Sequence, residues 1–333
     1  MAPLLSKCLV AKHFGNPIEA LKMCVWEIPD PEENEVTVEW LAAPVNPLDL
    51  NRIQGAYVIR DQLPFLVGSE GVGRRHEDCY LRVGDLVVNF SINSGTWTQY
   101  TTIDESGLVK LDPRMSIEMG ATFMVNPPTA WVMLNEYVKL EPGDYIIQNA
   151  ANSGVGRAVI ELCKIYGVKS VNVVRDRDDI DELKADLTSR GATVVWTEPE
   201  LERYGRKFFT ELGFRPRMAF NGVGGKSALG VTAMLAPGGG MSRQAHQFST
   251  SSLVFRECEV RGILIGKWMR DPQNADRVDK CLQDLQNLAI EGKLTPPPME
   301  KVKLDDYIQA MVNSMTGRPK QLFIIKEEET SKI

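Results

Sequence analysis

Histidine is scarce in this 333-residue chain, and its cysteines are not paired in the sequence. The three histidines, His13, His76 and His246, lie far apart, and the six cysteines form no C-x-x-C motif. Zinc sites need such ligands at short, regular spacings, so the sequence predicts no metal site. Scattered cysteines in a chain long enough to bury its own core also predict reduced thiols rather than a disulfide framework.

Long apolar runs and an excess of positive charge are missing as well. No apolar run approaches the roughly 20 residues that a helix needs to cross a bilayer, so we expect no membrane-spanning helix. The formal net charge is −6, from 38 basic and 44 acidic residues. Nucleic-acid binding depends on clustered lysine and arginine, so we expect neither nucleic acid nor a membrane as a partner.

The chain contains two regions that differ in their pattern of apolar residues. Residues 6–13 and 35–40 read as strands, the second with the two-residue period of a half-buried strand. Short apolar runs at 86–88 and 97–101 each follow a turn that contains glycine. The N-terminal region is therefore predicted to be rich in β-structure.

From about Asn126 onward, strand-like runs alternate with helical patterns. The predicted strands are residues 145–148, 170–174, 193–196, 218–220 and 240–241, and the predicted helices are 155–166 and 180–190. This alternation is typical of βαβ units and of a parallel sheet, so the fold class is predicted to be α/β. A last strand, at residues 322–325, could return the chain to the first domain.

A turn at residues 148–156 joins the first of these strands to the first helix, which is the context of a dinucleotide-binding turn. The strict G-x-G-x-x-G is absent, because Ala151 and Ser153 stand where its first two glycines would be. A pyrophosphate would be held at the helix N-terminus. The residues that would hold it are Asn152, Ser153, Gly154, Val155 and Gly156. An ordinary strand–turn–helix is the alternative interpretation of the glycines alone.

The residues after the second strand indicate which dinucleotide would bind. NAD-specific folds carry an acidic residue there, about 20 residues after the turn, which binds the ribose 2′-hydroxyl. This chain reads Arg175-Asp176-Arg177, and Arg175 is 19 residues beyond Gly156. An arginine donates two charge-assisted hydrogen bonds to a phosphate, so the pattern favours NADPH. The alternative is that the arginines only balance neighbouring aspartates on a solvated helix start.

Seven segments together resemble the zinc-independent medium-chain dehydrogenase/reductase superfamily, which includes the quinone oxidoreductases. Within it, the chain looks most like the mitochondrial trans-2-enoyl-thioester reductases. The segments are residues 41–49, 53–57, 95–97, 125–129, 148–156, 172–177 and 223–227. The resemblance implies a Rossmann doubly wound parallel sheet inserted into a GroES-like β-rich catalytic domain. Residues 1–125 and 268–333 would form the GroES-like domain, and 126–267 the NADP-binding domain.

The resemblance also implies an activity, which is the NADPH-dependent reduction of trans-2-enoyl thioesters of CoA or acyl carrier protein in mitochondrial fatty acid synthesis. It implies a mitochondrial location, although the sequence shows no clear transit peptide, and a homodimer with acyl carrier protein as a candidate partner. Tyr57, in the family's Q-G-x-Y motif, would be the catalytic proton donor, because a phenol is neutral at pH 7 and can donate. Further cofactor contacts would come from Asn126, Ile263, Leu264, Ile265 and Lys320.

The chain departs from the family pattern at Val58, at residues 244–247 and at residues 263–265. Two alternatives therefore stay open. One is a zinc-independent quinone or enone reductase, and the other is an NADPH-binding paralogue with little turnover.

Two surface interactions are predicted from residue type. An acidic carrier protein would need basic side chains, and the candidates are Arg74, Arg75, Arg203, Arg206, Lys207, Arg215 and Arg217. Residues 259–265 are a candidate edge strand for dimerisation.

Overall fold

A computed structural model of the chain describes residues 3–57, 60–75, 84–90, 93–236, 240–242, 258–316 and 318–326. By its internal contacts the chain divides into two units, Met1–Met124 with Pro296–Ile333, and Val125–Thr295. The first boundary lies one residue from the predicted 125/126, whereas the second lies at 295/296 instead of 267/268. The catalytic and NADP-binding roles of the two units stay predictions.

The first unit consists mainly of strands. They are β1 (Leu4–Ala11), β2 (Leu21–Ile28), β3 (Glu35–Pro44), β4 (Phe65–Leu66), β5 (Val72–Arg75), β6 (Leu86–Asn89), β7 (Tyr100–Asp104), β8 (Leu108–Lys110), β15 (Met299–Lys303) and β16 (Lys320–Ile324). One sheet has the order β2-β1-β4, and the other has the order β15-β16-β3-β5-β6-β8, with β7 also paired to β3. β16 pairs antiparallel with β3, which confirms that a C-terminal strand returns to this unit.

An aromatic pair lies in the core of this unit and includes a tryptophan just before β7. Of the apolar run at residues 97–101, only the last two residues belong to a strand, since β7 begins at Tyr100. Trp97 is fully buried and packs edge-on against Phe323, with 5.1 Å between the ring centroids. The tryptophan therefore fills the core of this unit, and the strand starts after it.

The helices of the first unit are α1 (Pro17–Ala20), α2 (Pro47–Gln54), α3 (Ile117–Ala121) and α11 (Tyr307–Met315). α2 begins with proline, whose fixed φ suits a first helical position. The Asp49 carboxylate accepts the backbone N–H of Asn46 at 2.8 Å, so the first turn is closed by a side chain. α2 ends at Gly55, which has a φ of 69° and so provides the left-handed residue that often follows a helix.

The second unit contains one six-stranded parallel sheet. Its strands are β9 (Tyr145–Gln148), β10 (Lys169–Val174), β11 (Val194–Thr197), β12 (Met218–Phe220), β13 (Gly240–Ser242) and β14 (Glu259–Arg261). Their order is β11-β10-β9-β12-β13-β14. Counted from β9, this is the order 3-2-1-4-5-6 of a doubly wound Rossmann sheet, which confirms the predicted fold class.

The described helices of this unit lie between the first five strands, before β9 and after β14. They are α4 (Asn126–Asn135), α5 (Gly154–Tyr166), α6 (Ile180–Arg190), α7 (Glu198–Leu212), α8 (Gly225–Thr232), α9 (Ile265–Arg270) and α10 (Ala275–Ile290). The predicted helices at 155–166 and 180–190 are confirmed as α5 and α6. α10 belongs to this unit because it packs against α4. That packing explains why the second boundary follows α10 rather than preceding it.

The part of the chain that the structure describes has neither a membrane-spanning helix nor a group of metal ligands. No helix there is both long enough and apolar enough to span a bilayer. Across the same residues, no three His, Cys, Asp or Glu side chains are grouped so that they could hold a metal ion.

Candidate functional site

The centre of the parallel sheet is the point where the chain reverses its direction of travel across the sheet. The first crossovers lead from β9 to β10 and β11, and the later strands lie on the other side, starting with β12. Ligands of such sheets bind outside the carboxyl ends of the strands at this switch point. The residues after β9 and β12 therefore lie where a ligand of the sheet would bind.

Two asparagines follow these strands and bind each other. The Asn149 amide donates to Asn221 Oδ1 at 2.7 Å and to Ser227 Oγ at 3.1 Å. The Asn149 Oδ1 accepts the backbone N–H of Gly222 at 2.7 Å. The cluster fixes the two turns relative to each other. Sequence analysis missed it, because an asparagine after each of two strands has meaning only when the strands are known to be neighbours.

The turn at residues 149–153 leads directly into α5. Ser153 is the N-cap of α5, and its hydroxyl oxygen accepts the backbone N–H of Gly156 at 3.1 Å. Ala151 is fully buried, and its N–H donates to the carbonyl oxygen of Val173 at 3.3 Å. The first N–H groups of a helix have no partner within the helix and favour an anion. The turn therefore has the geometry of a pyrophosphate site.

Close contacts surround both glycines of this turn, and those at Gly156 are with backbone atoms. A Cβ at Gly156 would lie 2.6 Å from the carbonyl oxygens of Ala150 and Ala151. A Cβ at Gly154 would lie 2.6 Å from the Asn126 amide nitrogen. Gly156 thus allows the helix to approach the strand closely, which is the role of the third glycine of the dinucleotide fingerprint.

Asn126 is the first residue of α4 and lies beside the turn. It is buried, and its amide nitrogen has no hydrogen-bond partner among the described residues. An unsatisfied buried donor costs about 1–3 kcal/mol, so a partner at this position is favoured. An acceptor on a bound dinucleotide would supply it. The residues around the turn therefore fit NADPH, and the contact between Asn126 and the cofactor that the resemblance implies stays a prediction.

The two predicted arginines differ in their surroundings. Arg175, Asp176 and Arg177 follow β10 and are exposed. Arg177 pairs with Asp179, with 2.9 Å between Nη2 and Oδ2. Arg175 has no hydrogen bond or ion pair to any residue that the structure describes. Its guanidinium is therefore available to a ligand, whereas that of Arg177 is already engaged.

Arg175→Ala is expected to raise the KM for NADPH by about 10- to 100-fold, because a charge-assisted hydrogen bond contributes about 1.5–3 kcal/mol. The KM for NADH should change little, since NADH lacks the 2′-phosphate. Steady-state kinetics with both cofactors measures the two values. Arg177→Ala is the matched control, with a smaller expected effect. Equal effects on the two cofactors would contradict a phosphate contact.

Residues 263–265 lead from β14 into α9. Ile263 and Ile265 are partly buried, and Leu264 is 52% exposed. Contact between these side chains and a cofactor stays a prediction. β14 itself is the edge strand of the sheet, and its three residues are exposed.

Tyr57 lies in the first unit, just beyond α2. Phe14 packs against Gly55, where a Cβ would lie 3.0 Å from its ring. Arg52 and Asp61 form a bidentate ion pair, with distances of 3.0 and 2.7 Å, that brackets the segment containing Tyr57. The phenol is partly exposed and makes no hydrogen bond to the described residues. It is therefore free to donate a proton to a ligand.

Lys320 lies in a buried cluster of charged residues in the first unit. Its ammonium donates to Asn46 Oδ1, and the Asn46 amide donates to Glu70 Oε2 at 2.9 Å. Burial lowers the pKa of Lys320, although the charges of Glu70 and Asp49 oppose the shift. Burial also raises the pKa of Asp49. Sequence analysis predicted a cofactor contact for Lys320 and missed this structural role; the cofactor contact stays a prediction.

One basic residue proposed for carrier binding was wrongly assigned to the surface. Arg75 is only 3% exposed and lies 3.4 Å from Glu105, because it occupies an inward position of the sheet. Arg217 is exposed but is bound to Asp144 and to the carbonyl of Lys139. Two departures from the family pattern, Val58 and residues 244–247, lie outside the described residues.

Comparison with known proteins gives many similar ones, although no family model matches the chain. The chain is 48% identical to the mitochondrial enoyl-[acyl-carrier-protein] reductase of Caenorhabditis elegans, over 98% of this chain and 97% of the relative. It also superposes on the complex of Etr1p with NADP and crotonyl-CoA, with a TM-score of 0.88 and 28% identity over 97% of this chain and all (100%) of that chain. The mitochondrial 2-enoyl thioester reductase Etr1p/Etr2p heterodimer from Candida tropicalis gives the same TM-score of 0.88, at 28% identity and with the same coverage of 97% and 100%.

Proposed function

Because the chain belongs to the family of mitochondrial enoyl-[acyl-carrier-protein] reductases, we propose that it reduces trans-2-enoyl thioesters to saturated acyl thioesters with NADPH. The observation that carries the proposal is the pyrophosphate turn at the switch point of the sheet, followed by the unpaired guanidinium of Arg175 after β10. That combination fits an NADPH-dependent enzyme. The similarity to enoyl reductases then selects the substrate class.

The residues of the second unit hold the cofactor in this proposal. Ser153 and Gly156 shape the turn, and the N-terminus of α5 faces the pyrophosphate. The Asn126 amide donates to the cofactor, so that this buried donor gains a hydrogen-bond partner. Arg175 binds the 2′-phosphate.

Tyr57 carries the acid chemistry in this proposal. NADPH supplies a hydride to the β-carbon of the enoyl thioester. Negative charge then develops on the thioester oxygen, and the α-carbon needs a proton. The phenol of Tyr57 provides that proton and regains one from solvent after product forms. One hydride and one proton together saturate the double bond.

The test is NADPH oxidation by the purified protein with three substrates: crotonyl-CoA, trans-2-hexenoyl-CoA and a quinone. We expect turnover with the two enoyl thioesters and much slower turnover with the quinone. Faster quinone reduction would support the quinone-reductase alternative. NADPH binding without turnover of any of the three would support the paralogue with little activity.

We further propose a homodimer located in mitochondria, with acyl carrier protein as one carrier of the substrate. The exposed edge strand β14 supports dimerisation, since an unpaired edge favours pairing with a second chain. The relative from Caenorhabditis elegans is named a mitochondrial enzyme, which supports the location. Arg203, Arg206 and Lys207 are exposed on α7 and could meet an acidic carrier.

A further inference from the structure

One arginine connects the pyrophosphate turn to a neighbouring helix. Arg157 belongs to the first turns of α5, and its side chain is almost fully buried. Its Nε donates to the carbonyl oxygen of Asn152 at 3.0 Å. Its Nη1 binds the carboxylate of Asp186 on α6. A single guanidinium therefore holds the backbone of the turn and is itself held from α6.

This contact acts on a peptide unit that is fixed at both ends. The carbonyl of Asn152 accepts from Arg157, and the N–H of Ser153 donates to the carbonyl of Ala150 at 2.9 Å. The next residues are the N-cap and the first N–H groups of α5, which would face the pyrophosphate. Ala150 has a φ of 49°, a left-handed conformation that is unfavourable for alanine. The turn therefore needs contacts from outside itself to keep this shape.

Asp186 is in turn fixed by a second arginine. Arg190 Nε donates to Asp186 Oδ1 at 3.2 Å, and Arg190 Nη1 donates to Glu161 Oε1 at 2.8 Å. Glu161 is buried and also accepts the backbone N–H of Thr295 at 3.0 Å. The two arginines and two carboxylates balance in charge. Asp186 thus has a defined position from which to orient Arg157.

The ionisation of Asp186 agrees with this role. Burial would raise the pKa of this carboxyl, but the hydrogen bonds and charges of Arg157 and Arg190 outweigh it and hold the pKa below its usual range. The carboxylate stays charged above its usual pKa of about 4 and loses its charge only in more acidic solution. The contact with Arg157 is therefore present throughout the neutral range.

We propose that Asp186 is a positioning residue for NADPH: through Arg157 it fixes the Asn152–Ser153 peptide and so presents the N-terminus of α5 to the pyrophosphate. The inference rests on the proposed function for the identity of the cofactor. Asp186 does not touch the ligand. Loss of its charge should raise the dissociation constant of NADPH, because the turn must then be ordered when the cofactor binds.

The experiment compares three variants by NADPH fluorescence titration, together with kcat at saturating NADPH and thermal unfolding. Asp186→Asn removes the charge at nearly constant size, and Arg157→Lys keeps a charge but lacks the fork that reaches both partners. Asp284→Asn is the matched control. Asp284 is also in a helical ion pair, with Lys280, and its side chain is 38% exposed against 37% for Asp186.

We expect the dissociation constant of NADPH to rise about tenfold in Asp186→Asn and in Arg157→Lys, and to stay near the wild-type value in Asp284→Asn. The kcat at saturating NADPH should change little, because the reacting groups are intact. If Asp186→Asn does not fold, Arg157→Lys decides the question. NADPH affinities like that of Asp284→Asn would overturn the inference.

Failure of the proposed function gives a different result. A wild-type protein that binds NADPH but reduces no enoyl thioester would refute the activity, while the titrations would still decide the role of Asp186. A wild-type protein that does not bind NADPH would overturn both.

Discussion

Tyr57→Phe is expected to lower kcat for enoyl-thioester reduction by about 10²- to 10⁴-fold, the usual contribution of a positioned general acid. The substitution removes only the hydroxyl and keeps the ring in place. The dissociation constant of NADPH should remain close to that of the wild type, since the proposed cofactor contacts lie in the other unit. Steady-state kinetics with crotonyl-CoA and NADPH titration measure the two quantities.

The unfolding temperature of Tyr57→Phe separates a loss of stability from a loss of the general acid. The Tyr57 hydroxyl makes no hydrogen bond to the described residues, so its loss should leave the unfolding temperature unchanged. Tyr204→Phe is the control, because Tyr204 is an exposed tyrosine on α7. A Tyr57→Phe variant with wild-type kcat would remove Tyr57 from the mechanism.

Lys320→Met should destabilise the protein by about 1–3 kcal/mol, because it leaves Asn46 Oδ1 without its donor and removes the positive charge that acts on Asp49 and Glu70. Asp49 and Glu70 are fully buried, and the Lys320 ammonium donates to Asn46 Oδ1. Methionine fits the same length but supplies no charge. Urea denaturation measures the change in the free energy of unfolding.

The loss of stability in Lys320→Met should be smaller at low pH than at high pH. The pKa of Asp49 is already raised by burial, and loss of the ammonium raises it further. A carboxyl whose pKa is higher in the folded state than in the unfolded state favours folding as pH falls through the folded value. The Lys320→Met variant should therefore be closer to the wild type at pH 5 than at pH 8.

Lys301→Met on β15 is the control for this prediction. Lys301 pairs with Glu118 at the surface, where such a pair contributes about 0–1 kcal/mol. If Lys320→Met were as stable as Lys301→Met, the buried cluster would not stabilise the fold in the way its geometry indicates.

Local patterns in the sequence predicted much of the parallel sheet. The runs that became β9 and β10 are short and apolar, and α5 has a clear helical period, so each element could be identified from its own residues. The extent of the second unit could not be identified in this way. α10 has an apolar face, but the pattern does not indicate that the face packs against α4.

Burial of charge was the least predictable property of the site. Arg75 and Lys320 resemble exposed basic residues in the sequence, but Arg75 is buried and Lys320 is half-buried. Their acidic neighbours come from distant parts of the chain, as Glu70 does for Lys320. Only the fold brings such residues together, so no sequence spacing could reveal the cluster.

The left-handed alanine in the pyrophosphate turn has a consequence for evolution and engineering. The left-handed conformation of Ala150 costs about 1–2 kcal/mol of strain, which glycine would relieve. Glycine would also give the unfolded chain more freedom and let the turn sample other shapes. A glycine at this position would therefore make the cofactor-binding turn less ordered before the cofactor binds. Alanine keeps the turn ordered at the cost of backbone strain.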